Sequence, residues 1–261
     1  MEITKAQYEK INHILPVQRG RVSIDNVTFI NALLYICENG CKWRRLPKEY
    51  GNWHVIYKRY NRWVKTGIID KLFRELHVQD ILEREIDMEE VIRHIDSMAV
   101  PVHPDACGAF KKNDIQSIGR SKGGLTTKIH MMAANEQGAV GFTLSAGQLH
   151  DAPQGRLLME TVGKQDNVTP LLMDRAYEDD LTRYTAQMLK FEPVVPPKSN
   201  RKDPWEYDVQ LYKRRNEVER LFRLIQGFRR VFCRFDKLDI MYIGFIQLAL
   251  VAISIKKMPS G

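Results

Sequence analysis

The sequence predicts a mixed α/β fold preceded by an all-helical N-terminal region. Three observations carry this prediction. Apolar residues recur at helical spacing through roughly the first 85 positions, interrupted by glycine and proline. Beyond them the apolar runs shorten to strand length and alternate with helical patterns. Two of those short runs flank an Asn-Glu-Gln-Gly turn, a hairpin signal.

The segment TFINALLYICENG reads as a helix running to Gly40, a residue suited to a helix C-terminus. WRRLPKEYGN, with Pro47 and Gly51, reads as a turn. NWHVIYKRYNRWVKTG is a second helix, capped by Asn52 and ended by Gly67. It gathers Ile56, Tyr60, Trp63 and Val64 on one face, with Lys58, Arg59, Arg62 and Lys65 on or beside the other. IIDKLFRELH is a third helix. Three short helices with a basic member resemble a helix-turn-helix DNA reader, and equally a small bundle with solvated charges.

After the charged stretch LEREIDMEEVIRH the pattern changes. VIRHIDSMAV is a strand containing Asp96, and TKIHMMAANEQGAVGFTLSAG is a hairpin. DAPQGRLLMETVG is a helix, VTPLLMD a strand ending on Asp174, DDLTRYTAQML a helix and EPVVPP a short strand stopped by prolines. A polar loop, KSNRKDPWEYD, leads into a long helix from about Asp208 to Arg230. This order fits a ribonuclease H-like mixed sheet flanked by helices. The expected division is residues 1–85 as a helical DNA-binding domain and 86–261 as a catalytic domain.

Composition narrows the function. A net charge of +8 and a pI near 9.3 favour a polyanionic partner. Cys37, Cys41, Cys107 and Cys233 lack the paired spacing of a zinc site and read as thiols of a reducing, cytosolic protein. No signal-peptide pattern follows Met1. The apolar run from Ile240 to Ile255 is short for a membrane span and holds Gln247, so it reads as a buried C-terminal helix. GRSKGGLTTKIH lacks P-loop spacing. His103, Asp105 and the pair His150–Asp151 have no assigned chemistry beyond turns and capping.

Two-metal phosphoryl transfer requires hard oxygen ligands converging from separate elements. Asp96 stands in a strand-like run where aspartate is disfavoured. Asp174 closes a strand, the end at which α/β sheets place their sites. On the long helix, Tyr212, Arg215, Glu219 and Gln226 fall within about 60° of one another, whereas Glu217 lies about 200° from Glu219. From Leu211 to Lys237 the local charge is +6, suited to DNA phosphates, and Tyr212, Phe228 and Phe232 pack or stack among those cations. Taken singly, each acid also has an ordinary role in a turn, a cap or a surface ion pair.

Together these segments resemble the DDE-type bacterial insertion-sequence transposases with a Y-R-E-K signature. The likeness covers WRRLPKEYGNWHVIYKRYNRW, IDS, GRSKGGLTTKIH, SAGQLHDAP, LLMDRAYEDD, VVPPKSNRKDPWEYDVQLYKRRNEVERLF and FRRVFCRFDKL. The resemblance implies Asp96, Asp174 and Glu219 as catalytic metal ligands for two Mg²⁺ ions, with Mn²⁺ as substitute. It implies DNA contacts by Lys58, Arg59, Arg62, Lys65, Arg120, Lys122, Lys128, Tyr212, Arg215, Arg223, Gln226, Arg229 and Arg230. Gln226 departs from the signature, which has lysine there. The implied partners are the double-stranded terminal inverted repeats, target DNA and at least a second copy of the chain, with no membrane and a cytoplasmic, nucleoid-associated location. A nuclease that cuts without joining, and a catalytically impaired DNA-binding descendant, are the alternatives.

Overall fold

A computed structural model describes residues 1–19, 22–86, 88, 91–109 and 114–258. In chain order the helices are α1 (Lys5–Ile11), α2 (Asn26–Asn39), α3 (Trp53–Lys65), α4 (Ile68–Phe73) and α5 (Gln79–Glu85), the last two joined by a π-helical stretch, Arg74–Val78. Then come β1 (Arg93–Pro101), β2 (Gly119–Ser121), β3 (Gly124–Asn135), β4 (Gly138–Ala146), α6 (Asp151–Val162), β5 (Thr169–Met173), α7 (Asp180–Met188) and β6 (Phe191–Val194). The chain ends with α8 (Val209–Tyr212), α9 (Asn216–Gln226), α10 (Arg229–Phe232) and α11 (Asp239–Lys257).

The chain forms two compact units. The first joins residues 1–80 and 102–116 to residues 225–261. Its helices begin where side chains satisfy free N–H groups. Asp25 accepts from Thr28 N at 2.7 Å and Asn52 from His54 N at 2.9 Å. Thr4 and Gln7 form a capping box that starts α1, a helix the sequence pattern missed. Gly40 ends α2 at φ 63°, and a Cβ there would lie 2.9 Å from Arg229 Cβ.

Helix α11 is the axis of this unit. It is 19 residues long and apolar enough to cross a membrane by length and composition, but most of its surface is buried within the protein. An all-round apolar helix requires neighbours on every side, and α2, α3, α4 and α10 supply them. Tyr60 Oη donates to Met241 O at 2.7 Å, Gln247 Nε2 donates to Asp70 Oδ1 at 2.8 Å, and His77 Nδ1 lies 2.8 Å from Ser254 Oγ. By packing, α11 belongs with the helices of residues 1–80, so the compact units differ from a linear division between residues 85 and 86.

The second unit, residues 81–101 and 117–224, holds the six-stranded sheet. Its order is β2-β3-β1-β5-β6, with β4 also on β3. Strand β1 is central, antiparallel to β3 and parallel to β5. The expected hairpin is β3–β4; the short β2 was not anticipated, being three residues within the glycine-rich GRSKGG run. One face of the sheet carries a core of Ile95, Leu158, Leu171, Met173, Tyr177 and Phe191. On a second cluster, Ile92, Leu172 and Val194, the side chains of Tyr207, Leu211 and Tyr212 pack. Strand alternation places Asp96 on the side of Ile92 and His94, opposite Ile95.

The long helix expected to Arg230 is segmented. A 3-10 turn at Lys213–Arg215 separates α8 from α9, and the chain leaves α9 at Gly227. Glycine costs a helix backbone entropy and weakens its continuation.

Gly155 in α6 is where the Tyr177 ring passes. A Cβ there would lie 2.6 Å from Tyr177 Cε1. Gly155→Ala is expected to destabilise the protein by about 1–3 kcal/mol through overpacking. Urea unfolding measures the loss; a midpoint equal to that of the unaltered protein would rule out the tight contact.

Candidate active site

The register of two parallel strands builds the site. Ile95 pairs with Met173, so the next residues, Asp96 and Asp174, emerge side by side as β5 ends. Asp174 begins the 3-10 turn Arg175–Tyr177, and its Oδ1 accepts from Arg175 N at 2.7 Å. Asp96 Oδ1 accepts from Ser97 N at 2.7 Å.

Arg215 completes the group. Its guanidinium donates to Asp96 Oδ2 at 3.1 Å and to Glu219 Oε1 at 2.7 Å. It thus spans two acids separated by 123 positions of chain. One helical turn separates Arg215 from Glu219, which is why a single guanidinium reaches both. Glu217 goes elsewhere, meeting Arg214 at 3.2 Å and His94 at 3.3 Å. Burial and the charges of Arg214 and Arg93 push His94 down to about 4, so its imidazole is neutral and that last contact is no ion pair.

The site is short of positive charge. Burial first, then the charges of Asp174 and Glu219, raise Asp96 to about 6 against the Ser97 N–H and Arg215, which lower it. Burial likewise raises Tyr177, with Asp151, Asp96 and Asp174 adding to the effect. Sequence reasoning missed Tyr177; its signal is the aromatic residue three positions after Asp174 in LLMDRAYEDD. An all-carboxylate set suits a hard divalent cation rather than a soft one. Among the described residues no three His, Cys, Asp or Glu side chains already form a metal cluster. The Arg215 guanidinium stands as the cation between Asp96 and Glu219.

With this geometry in place, residues 87–253 match the family model described as "Transposase DDE domain". The chain belongs to the DDE transposase family. Residues 3–73 match a second model, "Putative transposase of IS4/5 family". The chain is similar to the uncharacterized protein y4sN of Sinorhizobium fredii (strain NBRC 101917 / NGR234), 34% identical over 107 residues, 40% of this chain and 78% of that protein. It is 28% identical over 134 residues, 49% of this chain and 98% of its relative, to the "Putative transposase for insertion sequence element IS6501" of Brucella ovis (strain ATCC 25840 / 63/290 / NCTC 10512). The cryo-EM structure of the piggyBac transposase synaptic complex with hairpin DNA matches with a TM-score of 0.50 at 11% identity, covering 97% of this chain and 70% of that one. At that identity the likeness is one of fold, and it agrees with the ribonuclease H-like sheet expected from sequence.

The transposase's candidate DNA contacts divide by availability. Lys58, Arg62, Lys65, Arg120, Lys122, Arg223 and Arg229 are exposed. Three others are held by the fold. Arg59 lies over the rings of Phe29 and Trp63 at 4.2 and 4.9 Å and donates to Ile24 O at 3.0 Å. Burial, with Arg62, lowers its pKa to about 10. Arg230 is 4% exposed and grips Asp236 through two bonds of 3.0 and 2.9 Å. Both guanidiniums are occupied inside the first unit. Lys128 is half-buried and pairs with Asp151 at 2.8 Å. Tyr212 packs beside Tyr207, ring centroids 5.6 Å apart. Gln226 is half-buried at the end of α9.

Two outcomes follow for the transposase. Arg230→Ala leaves Asp236 without its buried partner and is expected to cost about 3–5 kcal/mol, whereas Lys58→Ala is expected to stay within about 0.5 kcal/mol; chemical denaturation compares them, and equal midpoints would overturn the assignment. Asp96 titrates at about 6 when folded against an ordinary 3.8. The stability tied to its neutral carboxyl is thus full below about pH 4 and lost as pH rises through 6. In EDTA, Asp96→Asn should raise the Tm relative to the unaltered protein at pH 7.5 and lose that advantage near pH 4. A Tm difference independent of pH would refute the sign.

Proposed function

We propose that this transposase binds the ends of its mobile element, cuts the DNA there and joins the freed 3′-OH to target DNA. The observation that carries the reading is the meeting of Asp96, Asp174 and Glu219 around Arg215, from two adjacent strands and one helix. Asp96, Asp174 and Glu219 are assigned as catalytic residues and as the ligands of two divalent ions, Mg²⁺ or Mn²⁺. When bound, such ions supply Lewis-acid stabilisation of the phosphorane-like charge and of the attacking and leaving oxygens.

The remaining work falls to the chain's own groups. Asp96 has to be ionised to hold a cation, so affinity for the ions rises with pH through about 6. Arg215, already aimed at Asp96 and Glu219, balances their charge and is placed to meet a DNA phosphate once they are otherwise neutralised. In the first step water displaces a 3′-oxygen at the element's end. In the second, that 3′-OH displaces a target 3′-oxygen; the number of phosphodiester bonds is conserved and no external energy source is consumed.

Exposed Lys58, Arg62 and Lys65 on α3, with Arg120 on β2 and Lys122 in the β2–β3 turn, are assigned to phosphates of the terminal repeats and the target. Residues 1–85 are assigned to end recognition. Synapsis of two ends requires at least two copies of the chain on DNA, and a reaction on chromosomal DNA places it in the cytoplasm at the nucleoid.

Gln226 favours a second reading, a DNA-binding descendant with impaired catalysis, because the signature lysine at this place is absent. Asp96→Ala, Asp174→Ala and Glu219→Ala are each expected to reduce cleavage in Mg²⁺ by at least 10³-fold while end affinity changes less than threefold. Full activity of any one would sink the site assignment. A supercoiled-plasmid assay with pre-cut ends tests joining. Integration supports the transposase reading, cutting without integration supports a nuclease, and binding alone supports the impaired form, in which Gln226→Lys should restore activity.

A further inference from the structure

A cavity of about 410 Å³ opens in the first unit. Its walls are aromatic: Trp43 from the WRRLP turn, Trp53 and Tyr57 from α3, and Phe235 from the segment before α11. Trp43 meets Tyr57 edge-on at 5.2 Å, so these two rings form a continuous part of the wall. Trp53 and Trp43 are only half-buried, and Tyr57 is 39% exposed. Aromatic surface grouped and left open in this way marks an interaction site.

The polar groups around the cavity indicate what does. Asn61, one turn beyond Tyr57, lines it with an amide that both donates and accepts. The Asn61 Nδ2 donates to Tyr57 O at 2.9 Å, leaving its amide oxygen to accept. Two acids border the cavity, but each is already paired: Asp236 with Arg230 at 2.9 Å and Asp105 with Lys42 at 3.7 Å. Lys237 is exposed at the rim, and the exposed Arg44 guanidinium lies 5.6 Å from the centre of the Trp53 ring. The occupant is thus flat, apolar on its faces, hydrogen-bonding at its edge and attached to negative charge. A free cation does not meet this description, because the acids are neutralised and the rim is basic. An apolar peptide does not use the rim.

We infer that this cavity binds an unpaired nucleobase of DNA, stacked between Trp43, Trp53 and Tyr57, with its backbone phosphate on Lys237 and Arg44. Every base has a π-face, so stacking of this kind holds an unpaired base with little sequence preference. A pocket of this size falls at the small end of the usual range for ligands, matching one nucleoside rather than a longer segment. The inference rests on the reading that the chain acts on DNA. It adds a site for a base out of the helix, distinct in its residues from the carboxylate site.

The test uses the full-length protein without divalent ions and two duplexes of one sequence, one perfect and one carrying a single bulged 2-aminopurine. The bulged duplex should bind at least tenfold more tightly, and its fluorescence should fall severalfold as the base stacks on the rings. Tyr57→Ala, at an exposed position, and Lys237→Ala should each lose most of that preference while affinity for the perfect duplex changes less than threefold. Trp43→Ala should abolish the quench; because Trp43 also packs on Tyr60 and Phe245, its circular dichroism is compared, and the Tyr57 variant decides if it misfolds. Equal affinity for the two duplexes, or a quench unchanged in the Tyr57 variant, would overturn the pocket and leave the DNA reading standing. Failure to bind either duplex would overturn both.

Discussion

The parallel pairing of β1 with β5 concentrates negative charge at one point of the sheet, because their register sends Asp96 and Asp174 out of neighbouring strands as β5 ends. Strands in a sheet lie about 4.8 Å apart. Two carboxylates so placed, with a third nearby, repel one another; burial first, and then the charges of Asp174 and Glu219, raise the pKa of Asp96. The fold answers with one cation, the guanidinium of Arg215, fixed to Glu219 by a single helical turn. The apolar face of α9 sets that geometry. Val218, Leu221 and Phe222 are buried, which fixes the rotation of the helix and so the direction of Arg215 and Glu219. One guanidinium against three carboxylates still leaves an excess of negative charge, which is what the proposed divalent ions would balance.

Much of this was legible in the sequence. Short apolar runs, a hairpin turn and stopping prolines marked the strands, because a buried strand needs only a few apolar residues between turns. The helical stripe set Glu219 apart from Glu217, and their partners differ, Arg215 for the one and Arg214 for the other, since rotation and spacing are local properties. Other features were not local. Thr4 and Gln7 cap α1 through side chains whose pattern is common in loops as well. The partnership of α11 with residues 1–80 joins the two ends of the chain, and no window of sequence contains both. Tyr177 is buried beneath the acids because Gly155 leaves room for its ring, a fit set by packing across 22 positions and visible only in three dimensions.

Charge was the least legible property. A net charge of +8 identifies the class of partner but not the residues that meet it. Arginine is planar and weakly hydrated, so it serves in buried networks as readily as at a DNA surface. Arg59 and Arg230 are of the first kind, one stacked on Phe29 and Trp63, the other locked to Asp236. Lysines sort more simply: Lys58 and Lys65 remain in solvent on the helix that Arg59 helps to fasten. A basic helix is thus two populations, and only burial separates them.

The same sorting bears on Gln226. Glutamine can accept or donate a hydrogen bond to a phosphate but carries no charge, so its contribution to holding a DNA strand is weaker and less dependent on salt. Three residues earlier on α9 is Arg223, exposed and one turn beyond Glu219. Residues three and four apart on a helix are neighbours, so Arg223 adjoins both Glu219 and Gln226. On the proposed reading, Glu219 then sits between two guanidiniums: Arg215, turned inward to the acids, and Arg223, left in solvent. The positive charge expected at Gln226 is displaced by about one turn rather than removed, and it moves toward the carboxylate beside which the scissile phosphate has to lie.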